Sequence, residues 1–249
     1  MKRLTSKIKP ASGFAHLFHI GLSIVLALLV FVLVRIDLGG LAVAVILLGK
    51  WRMFSVKPRH WPANIRANSI DIIVGLSILI FMSNTDIQTI QLIWTALYGA
   101  WLVFLKPQNS QIAVASQAII GQAVGLSALF LNWGGDALYL LVIGSWVVCY
   151  AASRHFFTGF DEPLTDFMSH VWGFFGASLV WVLGHWLLFY GVLSQPTLLL
   201  TLLGFGLASL YYLEKTDRLS KLMRRQVIFI ILAFVIVILA FSNWGDKAV

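Results

Sequence analysis

The sequence predicts an all-α fold: a polytopic transmembrane helix bundle of about nine spans, within a single integral membrane domain over residues 1–249. Three observations predict it. The 249 residues are 59% hydrophobic and only 11% charged, against roughly a quarter charged in soluble domains. Mean hydropathy is +0.88, too high for a water-soluble globule. The apolar runs are helix-long and do not alternate in period two, and in lipid only helices or closed barrels satisfy their own backbone.

The first apolar run, 14–34, follows the basic start MKRLTSKIKP. It is too long for a signal-peptide core and lacks an A-x-A-like cleavage site, so it reads as a retained signal anchor. The second and third runs, 38–49 and 69–82, fall short of the roughly 20 residues a span needs. Trp51 and Phe54 are expected to lengthen one, and Asn64 to Asn68, after Pro62, to begin the other. The remaining spans are expected at 87–105, 111–131, 137–152, 167–189, 197–212 and 227–241.

With the start inside, the cytoplasmic segments are the basic N-terminus 1–13, the basic loops 50–68 and 213–226, and the acidic, histidine-bearing loop 153–166. The tail 242–249 is external. All of the 18 Lys and Arg except Arg35 and Lys247 then face the cytoplasm, as the positive-inside rule requires. Omitting spans two and three would strand the cluster over 50–66 outside, so both are expected to cross. The expected location is the inner (cytoplasmic) membrane.

A net charge of +8 would suggest nucleic acid in a soluble protein. Here the anionic inner leaflet is the nearer partner. In KWRMFSVKPRHWPANIRANSID, residues 50–71, the expected interface anchors are Lys50, Trp51, Arg52, Lys57, Arg59, Trp61 and Arg66. Membrane lipids are thus the expected partners and nucleic acid is not; no protein partner is indicated. Cys149 is the single cysteine, which excludes a disulfide framework.

An internal echo suggests four parallel helical hairpins plus a terminal helix. GLS recurs at 21–23, 75–77 and 125–127, and GAS follows at 176–178. Asp86 and Asp136 each follow the serine of their copy at equal distance. Small residues of this kind let helices approach closely in lipid.

Polar residues inside spans are expensive and are functional candidates. Asn64, Asn68, Asp71 and Gly75 share one helical stripe entering span three. The plainer reading of Asp71 is an interfacial carboxylate paired with Arg66 or Arg59. Around span seven, Asp166 and His170 share a face with Glu162 near its start, and Ser178, Trp181 and His185 continue the alignment. Gln88, Gln91 and Thr95 in span four suit interhelical hydrogen bonding. The candidate substrate-binding set is Asn64, Asn68, Asp71, Asp166, His170 and His185. Glu162, Asp166 and His170 are the candidate metal ligands, since carboxylate and imidazole suit zinc or another divalent ion. No H-E-x-x-H motif fixes such geometry, and His16 and His19 on span one offer no haem pair.

KPRHWPAN, residues 57–64, is similar to a basic-aromatic stretch of some UbiA-type membrane prenyltransferases. That resemblance implies nine helical spans and inner loops after spans two and six that hold magnesium diphosphate. Glu162 and Asp166 match the spacing and charge of the family's D-x-x-x-D motif. Its N-x-x-x-D-x-x-x-D motif is met here only by Asn64, Asn68 and Asp71, and the basic-aromatic stretch precedes span three rather than span one. Membership is therefore not assigned.

No nucleotide loop, nucleophile elbow or zinc finger occurs, and no cofactor is expected on the favoured reading. That reading is a carrier or permeation protein for a small solute or lipid, with a cavity between spans three and seven reached from inside. A membrane transferase using Mg²⁺ or another divalent cation on a lipid diphosphate is one alternative. A non-catalytic scaffold or complex subunit is the other.

Overall fold

The computed structural model describes residues 13–135, 137–185, 189–190 and 193–243, with the backbone alone for 14–16, 52 and 189–190. Lys2, Arg3, Lys7, Lys9, Asp136, Lys247 and the side chains of His16 and Arg52 lie outside what is described. Among the described residues there are nine α-helices: α1 Phe14–Arg35, α2 Gly39–Leu48, α3 Trp61–Ser83, α4 Gln88–Ala100, α5 Gln111–Trp133, α6 Leu138–Gly159, α7 Thr165–Gly184, α8 Gln195–Lys215 and α9 Lys221–Phe241. A two-residue hairpin, β1 Phe189–Tyr190 with β2 Leu193–Ser194, links α7 to α8. This is an all-α bundle. All of these helices but α2, with α4 taken together with its continuation to Leu105, are long and apolar enough to cross a membrane, the build of a multi-pass membrane protein.

Local chemistry sets the helix ends. Ser110, Ser194 and Ser220 cap α5, α8 and α9, each side chain accepting from a backbone N–H three residues on. Asp37, Asp161 and Asp217 adopt positive φ just past α1, α6 and α8, and the N–H of each following residue bonds back into the last turn. That is the Schellman closure, made here with aspartate in place of the usual glycine. The third span gains its length as expected, because Pro62 sits in the first turn of α3 and the helix then runs through Asn64 and Asn68.

α2 does not extend through Trp51 and Phe54. It ends at Leu48, and a 3₁₀ turn at Trp51–Met53 follows. Ten residues give about 15 Å of helix, half of a roughly 30 Å hydrocarbon layer. The chain still returns from one end of the bundle to the other. Arg35, at the end of α1, donates to the Asp86 carbonyl beyond α3, whereas Lys50 reaches Asp71 in the first half of α3.

Two groups of helices make up the bundle. α1, α2 and α4 gather on α3, and α5 to α8 pack around one another, with α6 and α7 the most extensively joined pair. α3 connects the groups by lying on α5 and α6. Most of the α1 and α9 surface is exposed and apolar, a face that lipid covers at no hydrophobic cost.

The small-residue echo acquires a physical meaning at three of its four positions. A methyl group on Gly75 would lie 2.9 Å from Ile46 and 3.0 Å from the Tyr98 hydroxyl. On Gly125 it would lie 2.7 Å from Ile73 and 2.9 Å from Val148, and on Gly176 2.7 Å from Cys149 Sγ. Gly21 has open space around it. Ser23, Ser77 and Ser127 each donate to the carbonyl four residues back. Gly125→Ala is therefore expected to cost about 1–3 kcal/mol by overpacking, while Gly21→Ala leaves stability unchanged or raises it by up to about 1 kcal/mol. Thermal unfolding in detergent measures both, and equal losses would refute the contact argument.

Candidate functional site

Asp71 lies in the first half of α3, and its carboxylate is nearly enclosed. Oδ2 accepts from Lys50 Nζ at 2.7 Å and lies 3.3 Å from Lys106 Nζ; Oδ1 accepts from Trp101 Nε1 at 3.1 Å. Its partners are thus Lys50 and Lys106 rather than Arg66 or Arg59. Lys50, grouped with the anchors by sequence, turns inward with its side chain 6% exposed.

A π-helical turn over Trp101–Leu105 makes the cluster possible. At 3.6 residues per turn, residues five apart point about 140° away from each other. Closing the turn from Lys106 N–H to Trp101 O brings those two side chains onto one face. Gln117 of α5 ties down the end of this turn, donating to Leu105 O at 2.6 Å and Gln108 O at 3.1 Å. Its amide oxygen lies 2.8 Å from His155 Nε2 of α6; an amide oxygen only accepts, so His155 is the donor.

The other sequence candidates are dispersed. Asn64 donates to Met53 O and Asn68 to Asn64 O, both local backbone bonds. Asp166 pairs with Arg154. His170 Nδ1 donates to Asp166 O and stacks among Tyr150 and Trp146. His185 is exposed at the far end of α7, with Nδ1 donating to Trp181 O. Gln91 donates to Met82 O and Thr85 O, tying α4 to the end of α3. Of the other expected anchors, Trp51, Lys57, Arg59, Trp61 and Arg66 are exposed, and Trp61 donates to Val56 O.

Glu162 and Asp166 do not face a common space. Glu162 Oε2 accepts from the Tyr211 hydroxyl and lies 3.0 Å from Lys215 Nζ, both on α8. These bonds, Tyr211 first, hold its carboxyl below the usual range. With Asp166 engaged by Arg154, each carboxylate already has its own cation. Among the described residues no three His, Cys, Asp or Glu side chains gather closely enough to hold a metal ion.

Sequence reasoning missed a cavity of about 470 Å³ between α5, α6, α7 and α8. It begins at the end of the bundle carrying Lys106, Arg154 and Lys215 and runs inward past Tyr211, Phe156, Trp172 and Gln122 to Thr201. The small side chains of Ala118, Ala152 and Ala208 leave the space, and Gly204 lets α8 close on Gln122, which a methyl group there would meet at 2.9 Å. Gln122 is fixed, donating to Leu200 O at 2.8 Å and accepting from Trp172 Nε1 at 2.7 Å. Thr201 Oγ1 is buried and finds no hydrogen-bond partner among the described residues. Phe167, Phe205 and Leu207 line the cavity and are also exposed on the outer surface, so it opens sideways. None of Asn64, Asn68, Asp71, Asp166, His170 or His185 lines it. The signal in the sequence was faint: small residues four apart at 204 and 208, on one face of α8.

Asp71→Ala strands a buried ammonium, and we expect a loss of about 3–5 kcal/mol. Lys106→Met, removing a half-exposed partner, costs at most about 1 kcal/mol. Pairing Asp71→Leu with Lys50→Met recovers most of the loss, and unfolding titrations in detergent read all three. A separate pH effect follows from Glu162. Its lowered value means that its stabilisation is full above the ordinary glutamate value of about 4.3 and fades as pH falls through the folded value. Glu162→Gln removes that part of the acid destabilisation in melts recorded against pH.

Comparison with protein-family models, with curated proteins and with solved structures finds no match to this chain.

Proposed function

We propose that this chain is a lipid-handling carrier of the cytoplasmic membrane, which receives a lipid-like molecule from the inner leaflet into the α5–α8 cavity. The observation that carries this reading is the cavity itself. Its volume of about 470 Å³ falls within the range of roughly 300–1,000 Å³ usual for ligand sites. Its walls are almost wholly apolar, and Phe167, Phe205 and Leu207 put its side opening on the surface that lipid covers. A water-soluble solute would demand more hydrogen-bonding groups than Gln122, Ser153 and Thr201 supply inside it, since Trp172 and Tyr211 are engaged by Gln122 and Glu162, and Glu214 stands at the mouth.

Orientation follows from charge. Lys50, Lys106, Arg154 and Lys215 lie at the end of the bundle where the cavity begins, and positive charge favours the cytoplasmic side. The enclosed Asp71 cluster supports the scaffold of the carrier rather than its cargo, since each carboxylate oxygen already has donors.

Filling the cavity tests the reading. Ala208→Trp is expected to weaken binding of a fluorescent polyene lipid chain by about tenfold or more, and to stop protein-dependent movement of labelled lipid between leaflets in proteoliposomes. Ile93→Trp, on the exposed side of α4, leaves both unchanged. Thermal melts confirm that each variant folds. Undiminished binding and transfer by a folded Ala208→Trp protein would overturn the proposal.

A further inference from the structure

The cavity's shape and the charges at its rim identify the class of lipid it takes, an inference that rests on the carrier reading above. From Thr201 to Glu214 the α8 wall rises by thirteen residues, about 20 Å at 1.5 Å each. Half of the hydrocarbon layer is about 15 Å. The cavity therefore runs from the leaflet surface to the region of the bilayer midplane, the reach of one chain of one leaflet. Its volume of about 470 Å³ suits one slender chain and not a whole two-chain phospholipid.

The lining carries one charged side chain, Glu214 at its mouth, while the segment that follows is richer in cations than in acids. Lys215, Arg218, Lys221, Arg224 and Arg225 stand at the end of α8, the turn after it and the start of α9. Glu162, Glu214 and Asp217 oppose them. Glu162 is matched by Lys215 and Tyr211. Glu214, which touches the cavity mouth, has Arg224 at 4.0 Å. Arg218 is folded back over the last turn of α8 by its N–H bond to Leu213 O at 2.9 Å. Among the described residues Arg218, Lys221 and Arg225 have no carboxylate within ion-pair distance. Lys215 remains 48% exposed and uses one of its three donors on Glu162.

We infer that the cargo is a single-chain amphiphile with an anionic head, a carboxylate or a phosphate monoester, whose head lies at Lys215 and Arg218 and whose chain runs along α8 to Thr201. Phe156, Phe157, Phe167 and Phe205 flank the path with surfaces suited to hydrocarbon. No covalent step is involved. The head keeps its charge against the cations, and the chain exchanges bilayer contacts for protein contacts.

The experiment uses the full-length protein in neutral detergent. A polyene fatty acid reports binding directly, and matched alkyl phosphate, alkyl ammonium and alkyl alcohol chains compete with it. We expect carboxylate and phosphate to bind about tenfold more tightly than ammonium, as two nearby cations imply. Lys215→Gln with Arg218→Gln should collapse that preference while hydrocarbon binding persists, and raised salt should shrink it. Thr201→Val should keep or tighten hydrocarbon binding, because it replaces a buried, unpartnered hydroxyl by a methyl group where only hydrocarbon reaches. Equal affinity for ammonium and carboxylate, with Ala208→Trp still abolishing both, would overturn the head-group inference and leave the cavity reading standing. A clear loss in Thr201→Val would overturn the chain's placement, since it would put a polar group deep in the cavity. Binding of every chain that is indifferent to Ala208→Trp would reject the cavity reading itself.

Discussion

A carboxylate buried among apolar helices keeps its charge only if protein supplies what water would have supplied, and much of this fold can be traced from how Asp71 meets that demand. Its two oxygens take three donors from two other elements: Lys50 just past α2, and Trp101 and Lys106 at the end of α4. Each donor requires a local departure from a plain helix. α2 stops short, so that Lys50 turns inward instead of continuing a span. α4 widens into a π turn, so that two side chains five residues apart share a face. Just past the widened turn, Gln117 of α5 donates to Leu105 O and Gln108 O, and its amide oxygen accepts from His155 of α6. One buried charge thereby ties the ends of α2 and α4 to α3, α5 and α6.

The other half of the molecule is held by a different means. Besides the polar ties at Gln122, Asp166 and Glu162, α5 to α7 rely on close approach at glycine: Val114 against Gly159, Leu129 against Gly144, Cys149 against Gly176. Lipid offers apolar side chains as much as a neighbouring helix does, so association depends on packing. Where small residues meet large ones, the helices close up. Alanines also collect on the inner faces of all but one of the four helices, at Ala118, Ala152 and Ala208. There the space stays open. The cavity and the tight seams come from the same composition in different register.

That distinction explains what could be read from the chain alone. Hydropathy located the helices, and the polar residues opening α3 were recognised as helical once Pro62 was placed near its start. Asp71 was legible as an expensive residue. Its partners were not, because Lys50 and Lys106 sit beside loops and resemble ordinary interface cations; Gly49 ending a short apolar run was the available hint. Asp166 and His170 are indeed neighbours, four apart on one face, and the structure adds Arg154 and Tyr150 to them. What no helical wheel of one span displays is a volume bounded by four. Ala118 and Ala208 are unremarked alanines until α5 and α8 face each other.

On the carrier reading, α8 is the wall that must yield, and the structure limits how. α3, α5 and α6 are bound through Asp71 and Gln117, and α6 and α7 are the most extensively packed pair. α8 meets the rest through fewer contacts; Gln122 holds Leu200 O deep inside, and Tyr211 and Lys215 both hold Glu162 at the rim. The inner bond uses a backbone carbonyl of α8 and fixes its height. The rim bonds use side chains, which rotate without disturbing the helix. A swing of α8 about Leu200 that parts Tyr211 and Lys215 from Glu162 would widen the mouth and release the Lys215 ammonium while preserving the deep contact. The charged rim is then both where an anionic head would arrive and where the helix is most easily released.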